Sequence, residues 1–173
     1  MPTHYEVLPI PALPEYTRIF EAGAVSFGVE YRLLDEAIIA AEYGADARAK
    51  FGNELPPGLP AQLAEDGVSL HVFDSATGGE VLRFDCFADY PHYHYITPEE
   101  GRQSVLEYDP VANGPIFDWL FGRLRSELGA MLRHARAAQL AEKLDRAALE
   151  RVLPEVEREV LAAAARGRPT RCS

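Results

Sequence analysis

Two histidines, His92 and His94, stand two residues apart in Pro91–Ile96, a segment dense in ionisable and aromatic side chains. On a β-strand, alternate side chains leave the same face, so their Cα atoms would lie roughly 6.6 Å apart. Imidazoles at that spacing can share one metal ion. A third ligand from a neighbouring strand, Asp85 or His71, would complete a two-histidine-one-carboxylate or three-histidine set. The pattern predicts a site for a first-row divalent ion such as Zn, Fe, Mn, Ni or Cu.

The same side chains could also work without a metal. A histidine with a pKa near its usual value of about 6.5 can act as a general acid or base, and Arg83 could hold an anionic group. In that case His92, His94, Arg83 and Asp85 would be the catalytic residues for an unknown small molecule. A third interpretation is a hydrogen-bonded or exposed sheet face in which Arg83 pairs with Asp85. All three interpretations stay open at the level of sequence.

The strands that would position these residues begin with a hairpin. The segments Val68–Asp74 and Glu80–Phe87 alternate between apolar and polar residues and are joined by the turn Ser75–Gly79. Pairing Asp74 with Glu80 collects one apolar face, made of Val68, Leu70, Val72, Leu82, Phe84 and Cys86. The opposite face then carries Ser69, His71, Arg83 and Asp85. Since a slip of one residue would exchange the two faces, the apolar matches define the register.

The short connection Ala88–Pro91 carries this register to the next strand. It pairs Phe87 with His92 and Asp85 with His94, so both histidines point to the polar face. The following strand would place Glu107 on the same face, as a further candidate ligand.

The predicted fold class is α+β, an antiparallel meander of about four to six strands with C-terminal α-helices packed on one face. We expect one domain of 173 residues. It would comprise an extended, proline-rich segment (1–16), a mainly β region with one short helix (17–112), helices (113–166) and a flexible tail (167–173). An apolar stripe at helical spacing from Phe117 to Ala135 predicts one long helix, and Pro154 a new helical start. We expect Leu70, Leu82, Phe84 and Tyr95 to be buried beneath these helices.

Composition restricts the classes of partner. The formal net charge of −10 repels nucleic acid and therefore argues against nucleic-acid binding. The presence of only two cysteines argues against a structural disulfide. No apolar segment reaches the roughly 18 to 20 residues that cross a bilayer, and the first residues do not match a secretory signal, so we expect no membrane association and a cytoplasmic protein.

A non-catalytic role is the main alternative to an enzyme. The helical stripe or the N-terminal segment could bind a partner or a second copy of the chain, which would make the protein a homo-oligomer. Burial of the helices on the chain's own sheet would weaken this alternative.

Four blocks of the sequence resemble a family of small, uncharacterised bacterial proteins. They are LHVFD at 70–74, RFDCF at 83–87, PHYHYI at 91–96 and GPIFDW at 114–119. Together they extend over about residues 68–136. The family has no established activity, so the resemblance implies no mechanism.

A looser similarity, Arg-Phe-Asp at 83–85 followed by His-x-His at 92–94, resembles some small toxin components thought to be ribonucleases. The acidic composition and the C-terminal helical region depart from that pattern. Ribonuclease activity is therefore a minor alternative.

Overall fold

Seven antiparallel strands form one open sheet in the computed structural model, which describes residues 1–34 and 65–167. The spatial order is β1-β7-β6-β5-β4-β3-β2. The strands are β1 (Thr3–Tyr5), β2 (Thr17–Ala22), β3 (Val25–Leu34), β4 (Glu65–Asp74), β5 (Glu80–Phe87), β6 (His92–Thr97) and β7 (Arg102–Glu107).

Five α-helices follow β7 in the described part of the chain and pack on one face of the sheet. They are α1 (Pro110–Asn113), α2 (Ile116–Ser126), α3 (Leu128–His134), α4 (Ala138–Glu142) and α5 (Arg146–Arg166). The side chains of Asp109 and Asp145 accept hydrogen bonds from backbone N–H groups in the first turns of α1 and α5. These caps satisfy donors that a helix start leaves unpaired. The predicted α+β class is confirmed.

The register of the first hairpin is confirmed at its three predicted apolar pairs. Val68 lies opposite Cys86, Leu70 opposite Phe84 and Val72 opposite Leu82. The helices cover the face that these residues share, and Leu70, Leu82 and Phe84 are almost completely buried there. His71 lies opposite Arg83 on the other face. We call that second face the polar face.

A β-bulge beside the hairpin turn corrects one predicted pair. Phe73, and not Asp74, lies opposite Glu80, because the register shifts by one residue between Val72 and Phe73. The extra residue turns Glu80 from the helix side to the polar face, where it contacts His71 and Arg83.

The β5–β6 pairing is shifted by two residues from the predicted one. Asp85 lies opposite His92, and Arg83 lies opposite His94. The connection between the strands is therefore longer than the predicted tight turn. Because side chains alternate with a period of two, an even shift leaves both histidines on the polar face, as predicted.

Other corrections concern the boundaries of elements. The sheet has seven strands and not four to six, partly because Thr3–Tyr5, predicted as part of an extended segment, pairs with β7. The helical stripe is interrupted at Glu127, which separates α2 from α3. Pro154 lies inside α5 and does not begin a helix. Its neighbours Val152, Leu153 and Val156 are buried, and this packing outweighs the lost backbone hydrogen bond. Tyr95 is half-buried and not buried as predicted.

The N-terminal segment crosses the polar face. Strands β1 and β2 lie at opposite edges of the sheet, so residues 6–16 must pass from one edge to the other. On the way the carbonyl oxygen of Ile10 accepts hydrogen bonds from Arg32 (2.7 Å) and Arg83 (2.8 Å). We call residues 6–16 the strap. The polar face is thus covered by the strap, while helices cover the other face.

Some expectations fall outside the described residues. The sequence predicts the short helix near residues 35–44 and a loop rich in proline at 53–67. This helix, most of this loop and nearly all of the C-terminal tail lie outside the described residues. The end of that loop is described, and residues 65–67 belong to β4. No helix in the described ranges combines the length and apolar character needed to span a bilayer.

Replacing a core residue tests the register. Leu82→Ala should lower the free energy of unfolding by about 2–5 kcal/mol, because Leu82 is 0% exposed and truncation leaves a cavity. Ile19→Ala on β2 should change it by less than about 0.5 kcal/mol, since Ile19 is 48% exposed. Urea unfolding measures both values, and equal losses would contradict the assigned faces.

Candidate metal centre

Two neighbouring rows of residues on the polar face build the candidate centre. One row runs across the strands through Ser69, Asp85 and His92. The next row contains Arg83 and His94. Asp85 therefore has His92 directly opposite and His94 on the diagonal, a separation that long side chains can bridge.

Asp85, His92 and His94 converge on one point. The Oδ2 atom of Asp85 lies 2.8 Å from Nε2 of His94 and 3.3 Å from Nε2 of His92. The ligand atoms of the three residues all lie within 4.8 Å of one another. The side chains are buried, with Asp85 1%, His92 5% and His94 7% exposed. Aromatic rings of Phe87 and Tyr90 lie against the His92 ring.

The other nitrogen of each histidine faces an oxygen that can only accept. His92 Nδ1 lies 2.8 Å from the carbonyl oxygen of Tyr90, and His94 Nδ1 lies 2.7 Å from Oε1 of Gln103. Both Nδ1 atoms therefore carry hydrogen and donate. In a neutral ring, Nε2 is then left with a lone pair directed at Asp85. This tautomer, with Nδ1–H held by an oxygen, is the arrangement of metal-binding histidines.

Burial and the short contacts between Asp85 and the two histidines shift the pKa values in the centre. Burial alone would raise the pKa of Asp85, but the hydrogen bonds and positive charge that His92 and His94 supply when protonated outweigh it, so the pKa lies well below its usual value. Burial lowers the pKa of His94, and contact with Asp85 only partly offsets this effect. The centre thus favours an ionised carboxylate and a neutral His94, the forms that bind metal.

The spacing also suits a metal ion. Ligand atoms about 2.0–2.2 Å from an ion, at angles between 90° and 110°, lie about 2.8–3.5 Å from one another. Both Asp85–histidine distances fall in that range. Asp85, His92 and His94 could therefore hold a divalent ion through one carboxylate oxygen and two Nε2 atoms.

His71 belongs to a separate group of ion pairs. Its Nδ1 lies 2.6 Å from Glu80 and its Nε2 lies 2.9 Å from Glu30. Because both carboxylates accept, both nitrogens donate and the ring is an imidazolium. Burial alone would lower the pKa of His71, but the two carboxylates raise it above the usual value. A charged ring with both nitrogens engaged is not available to a metal ion.

Arg83 is engaged as well. Its guanidinium donates to both carboxylate oxygens of Glu80, at 2.8 and 2.6 Å, and to the Ile10 carbonyl of the strap. The pairing of Arg83 with Asp85, which belonged to the third interpretation, is therefore replaced by pairing with Glu80. Arg83 supports the strap and is not directed at the metal centre.

The structure brings together three of the predicted site residues, namely Asp85, His92 and His94. Glu107 lies opposite His92 in the register but is exposed and is not in this group. Four contributors went unpredicted, namely Glu30, Arg32, Glu80 and Gln103. Glu30 and Arg32 alternate with apolar neighbours along β3, so the period-two rule could have found them. The orientation of Glu80 toward the polar face depends on the bulge. In the sequence, the bulge is indicated only by two adjacent apolar residues, Val81 and Leu82.

A nucleophilic role is not supported for the neighbouring Ser69 or Cys86. Ser69 donates its hydroxyl hydrogen to Asp85 and not to a histidine, and the lowered pKa of Asp85 makes this carboxylate too weak a base to activate the hydroxyl. Burial raises the pKa of the Cys86 thiol, which keeps it in the unreactive protonated form.

The His71 group predicts a pH-dependent contribution to stability. Its raised pKa means that the contribution is complete below about pH 6.5, the unfolded value, and is lost as pH rises through the folded value. The loss is about 1.4 kcal/mol for each pH unit that separates the two values. His71→Gln should therefore destabilise the protein more at pH 6 than at pH 8.5, by denaturant unfolding. A cost independent of pH would contradict the charged state.

Comparison with known proteins identifies a family. A family model described as a domain of unknown function, DUF7700, matches residues 19–160. The match includes every strand from β3 to β7 and the candidate centre, and it agrees with the expectation of an uncharacterised family. Searches of curated proteins and of solved structures found no match. The chain therefore belongs to the DUF7700 family.

Proposed function

We propose that this protein binds one first-row divalent metal ion through Asp85, His92 and His94, and that the ion serves a reaction on, or binding of, a small molecule. The convergence of two Nε2 atoms on one buried carboxylate oxygen carries the proposal. The ion itself would supply Lewis acidity.

The hydrogen-bond pattern favours a bound metal ion over protonation of the two histidine rings. Both Nδ1 atoms donate to oxygens, so a neutral ring presents a lone pair to the lone pairs of Asp85, which repel it. Protonating both rings would leave a net positive charge in a buried place, close to Arg83, and the lowered pKa of His94 opposes this. A divalent ion satisfies both nitrogens and the carboxylate at once.

The described residues supply three protein ligands, and this number favours a reactive ion over a purely structural one. Structural zinc sites usually have four protein ligands, whereas catalytic sites have three and leave a position for water or substrate. The set of two histidines and one carboxylate is also the one that non-haem iron enzymes use. Because the three side chains are at most 7% exposed, the ligand bound to the open position would be small.

The alternatives have less support. Metal-free acid–base catalysis with Arg83 as an anion anchor is disfavoured, since Arg83 is held by Glu80 and the strap. An interaction role for the helical stripe is disfavoured, since Leu120, Phe121 and Leu124 are buried on the chain's own sheet. Ribonuclease activity would need an accessible histidine site beside a phosphate-binding cation, and neither is apparent among the residues of this centre.

Metal analysis of protein purified without a histidine tag tests the proposal. Wild-type protein should contain or take up about one equivalent of Zn²⁺, Fe²⁺, Mn²⁺, Ni²⁺ or Cu²⁺. The double variant His92→Ala/His94→Ala should take up none, because Asp85 alone cannot hold the ion. Elemental analysis after dialysis measures the content.

His4→Ala is the matched control, because His4 is exposed at the sheet edge and bonds only to Ser104 in the described structure. It should retain full uptake. The proposal would be contradicted if wild-type protein took up none of these metals at about micromolar concentration.

Gln103 tests the orientation of His94. Gln103→Leu removes the acceptor for the Nδ1–H of His94 and should weaken metal affinity about 10- to 100-fold. Gln103→Glu keeps an acceptor oxygen and should retain most of the affinity. Competition with a chromophoric chelator measures both, and an unchanged affinity in the leucine variant would show that Gln103 does not orient the ligand.

A further inference from the structure

A second cleft lies on the helix side of the sheet, away from the metal centre. It has a volume of about 400 Å³, within the range of small-molecule sites. Strand β6 supplies Tyr93 and Tyr95 to it, and these side chains point away from the face that carries His92 and His94. Trp119 from α2 forms another wall, and Tyr108 lies at the end of β7. We call this the aromatic cleft.

The rings of the cleft are inclined to one another. Tyr93 and Trp119 have centroids 5.2 Å apart with an angle of 49° between their planes. Tyr108 and Trp119 are 5.0 Å apart at 56°, and Tyr93 and Tyr95 are 5.8 Å apart at 76°. Rings at these distances and angles pack against one another edge to face. The parts of Tyr93, Tyr95 and Trp119 that this packing leaves exposed border the cleft and offer π surface to a cation.

Three of the aromatic rings that line the cleft are only partly buried. Tyr93, Tyr95 and Trp119 are half-buried, although they adjoin completely buried residues such as Leu120. The Tyr108 hydroxyl donates to the Gly114 carbonyl, whereas the Tyr93 and Tyr95 hydroxyls have no hydrogen-bond partner in the described part of the chain. Large amphipathic rings in this state are typical of binding surfaces.

Charge near the cleft and over the whole protein favours a positive ligand. The carboxylate of Glu127 lines the cleft and forms no ion pair with another described residue, whereas Glu107 lies opposite His92 in the register and belongs to the polar face. The net charge of −10 adds a negative field over the whole protein. One cation, Arg123, lies 6.0 Å from the centre of the Trp119 ring. That contact shows that the Trp119 face already accepts a guanidinium.

From these observations we infer that the aromatic cleft binds a small organic cation of the alkylammonium class. The exposed parts of the Tyr93, Tyr95 and Trp119 rings would contact the charged group, and Glu127 would neutralise it. Arg123 would be a competing cation at the rim, which the ligand displaces from Trp119. The inference is independent of the proposed metal, because the two sites lie on opposite faces of the sheet.

The chain carries its own reporter for this cleft. Trp119 is the single tryptophan of the sequence, so intrinsic tryptophan fluorescence reports on the cleft alone. Choline is a suitable probe, and 3,3-dimethylbutan-1-ol is its uncharged carbon analogue with nearly the same shape. Choline should change the fluorescence saturably with a dissociation constant of about 1 mM, which is reasonable for so few atoms. The uncharged alcohol should have no saturable effect.

Variants at the rim determine the sign of the ligand charge. Glu127→Gln should weaken choline binding about two- to fivefold, and Arg123→Gln should strengthen it by a similar factor. Tyr95→Leu should weaken it about two- to fivefold through the loss of one π face. Glu155→Gln on α5, an exposed carboxylate that does not line the cleft, should leave it unchanged.

Three results would overturn the inference. The first is equal binding of choline and the uncharged alcohol, which would indicate a simple apolar cleft. The second is saturable binding of benzoate that is lost in Arg123→Gln, which would indicate an anion site. The third is no fluorescence change with choline up to about 20 mM, confirmed by calorimetry. Circular dichroism of each variant shows whether the fold is intact.

Discussion

Buried charge on the polar face is the constraint on which the rest of the structure depends. Arg32 and Glu30 are 0% exposed, and Arg83 is 2% exposed. Charges in such a place are stable only when each is paired and hydrogen-bonded. Glu30 and Glu80 supply the opposite charges, and the strap supplies carbonyl oxygens. Glu80 retains its charge because burial, which raises its pKa, is outweighed by Arg83 and His71, and the pKa falls to about 2.

This constraint connects distant parts of the chain. The strap crosses the sheet where Arg32 and Arg83 offer donors, so its path follows the cations. The bulge in β5 brings Glu80 to the same face, so a local irregularity completes the charge balance. With Arg83 satisfied by Glu80, Asp85 is left to the two histidines. The candidate metal centre therefore depends on an ion-pair group in which it takes no part.

Through its alternation, strand β6 contributes side chains to two separate candidate sites. His92 and His94 point to the polar face, and Tyr93 and Tyr95 point to the helix side. The first pair is buried beside a carboxylate, and the second pair is half-buried beside tryptophan. The same six-residue strand thus contributes to a candidate inorganic site and a candidate organic site, with a single peptide backbone between them. A change of register in this strand would alter both.

Periodicity in the sequence was sufficient to determine the faces of the central strands, because apolar residues on β4 and β5 match in only one parity. That parity placed Asp85, His92 and His94 together even though the exact β5–β6 pairing was wrong by two residues. The helices on the other side of the sheet could be predicted equally well, since the apolar stripe that contains Leu120 and Leu124 has helical spacing. Only the tertiary structure decided what depends on contacts distant in sequence. The strap covers the polar face, His71 is bound by Glu30 and Glu80 away from the centre, and a bulge reorients Glu80. Pairing energies between buried charges determine these features, and a local pattern of residue types does not record which charges will meet.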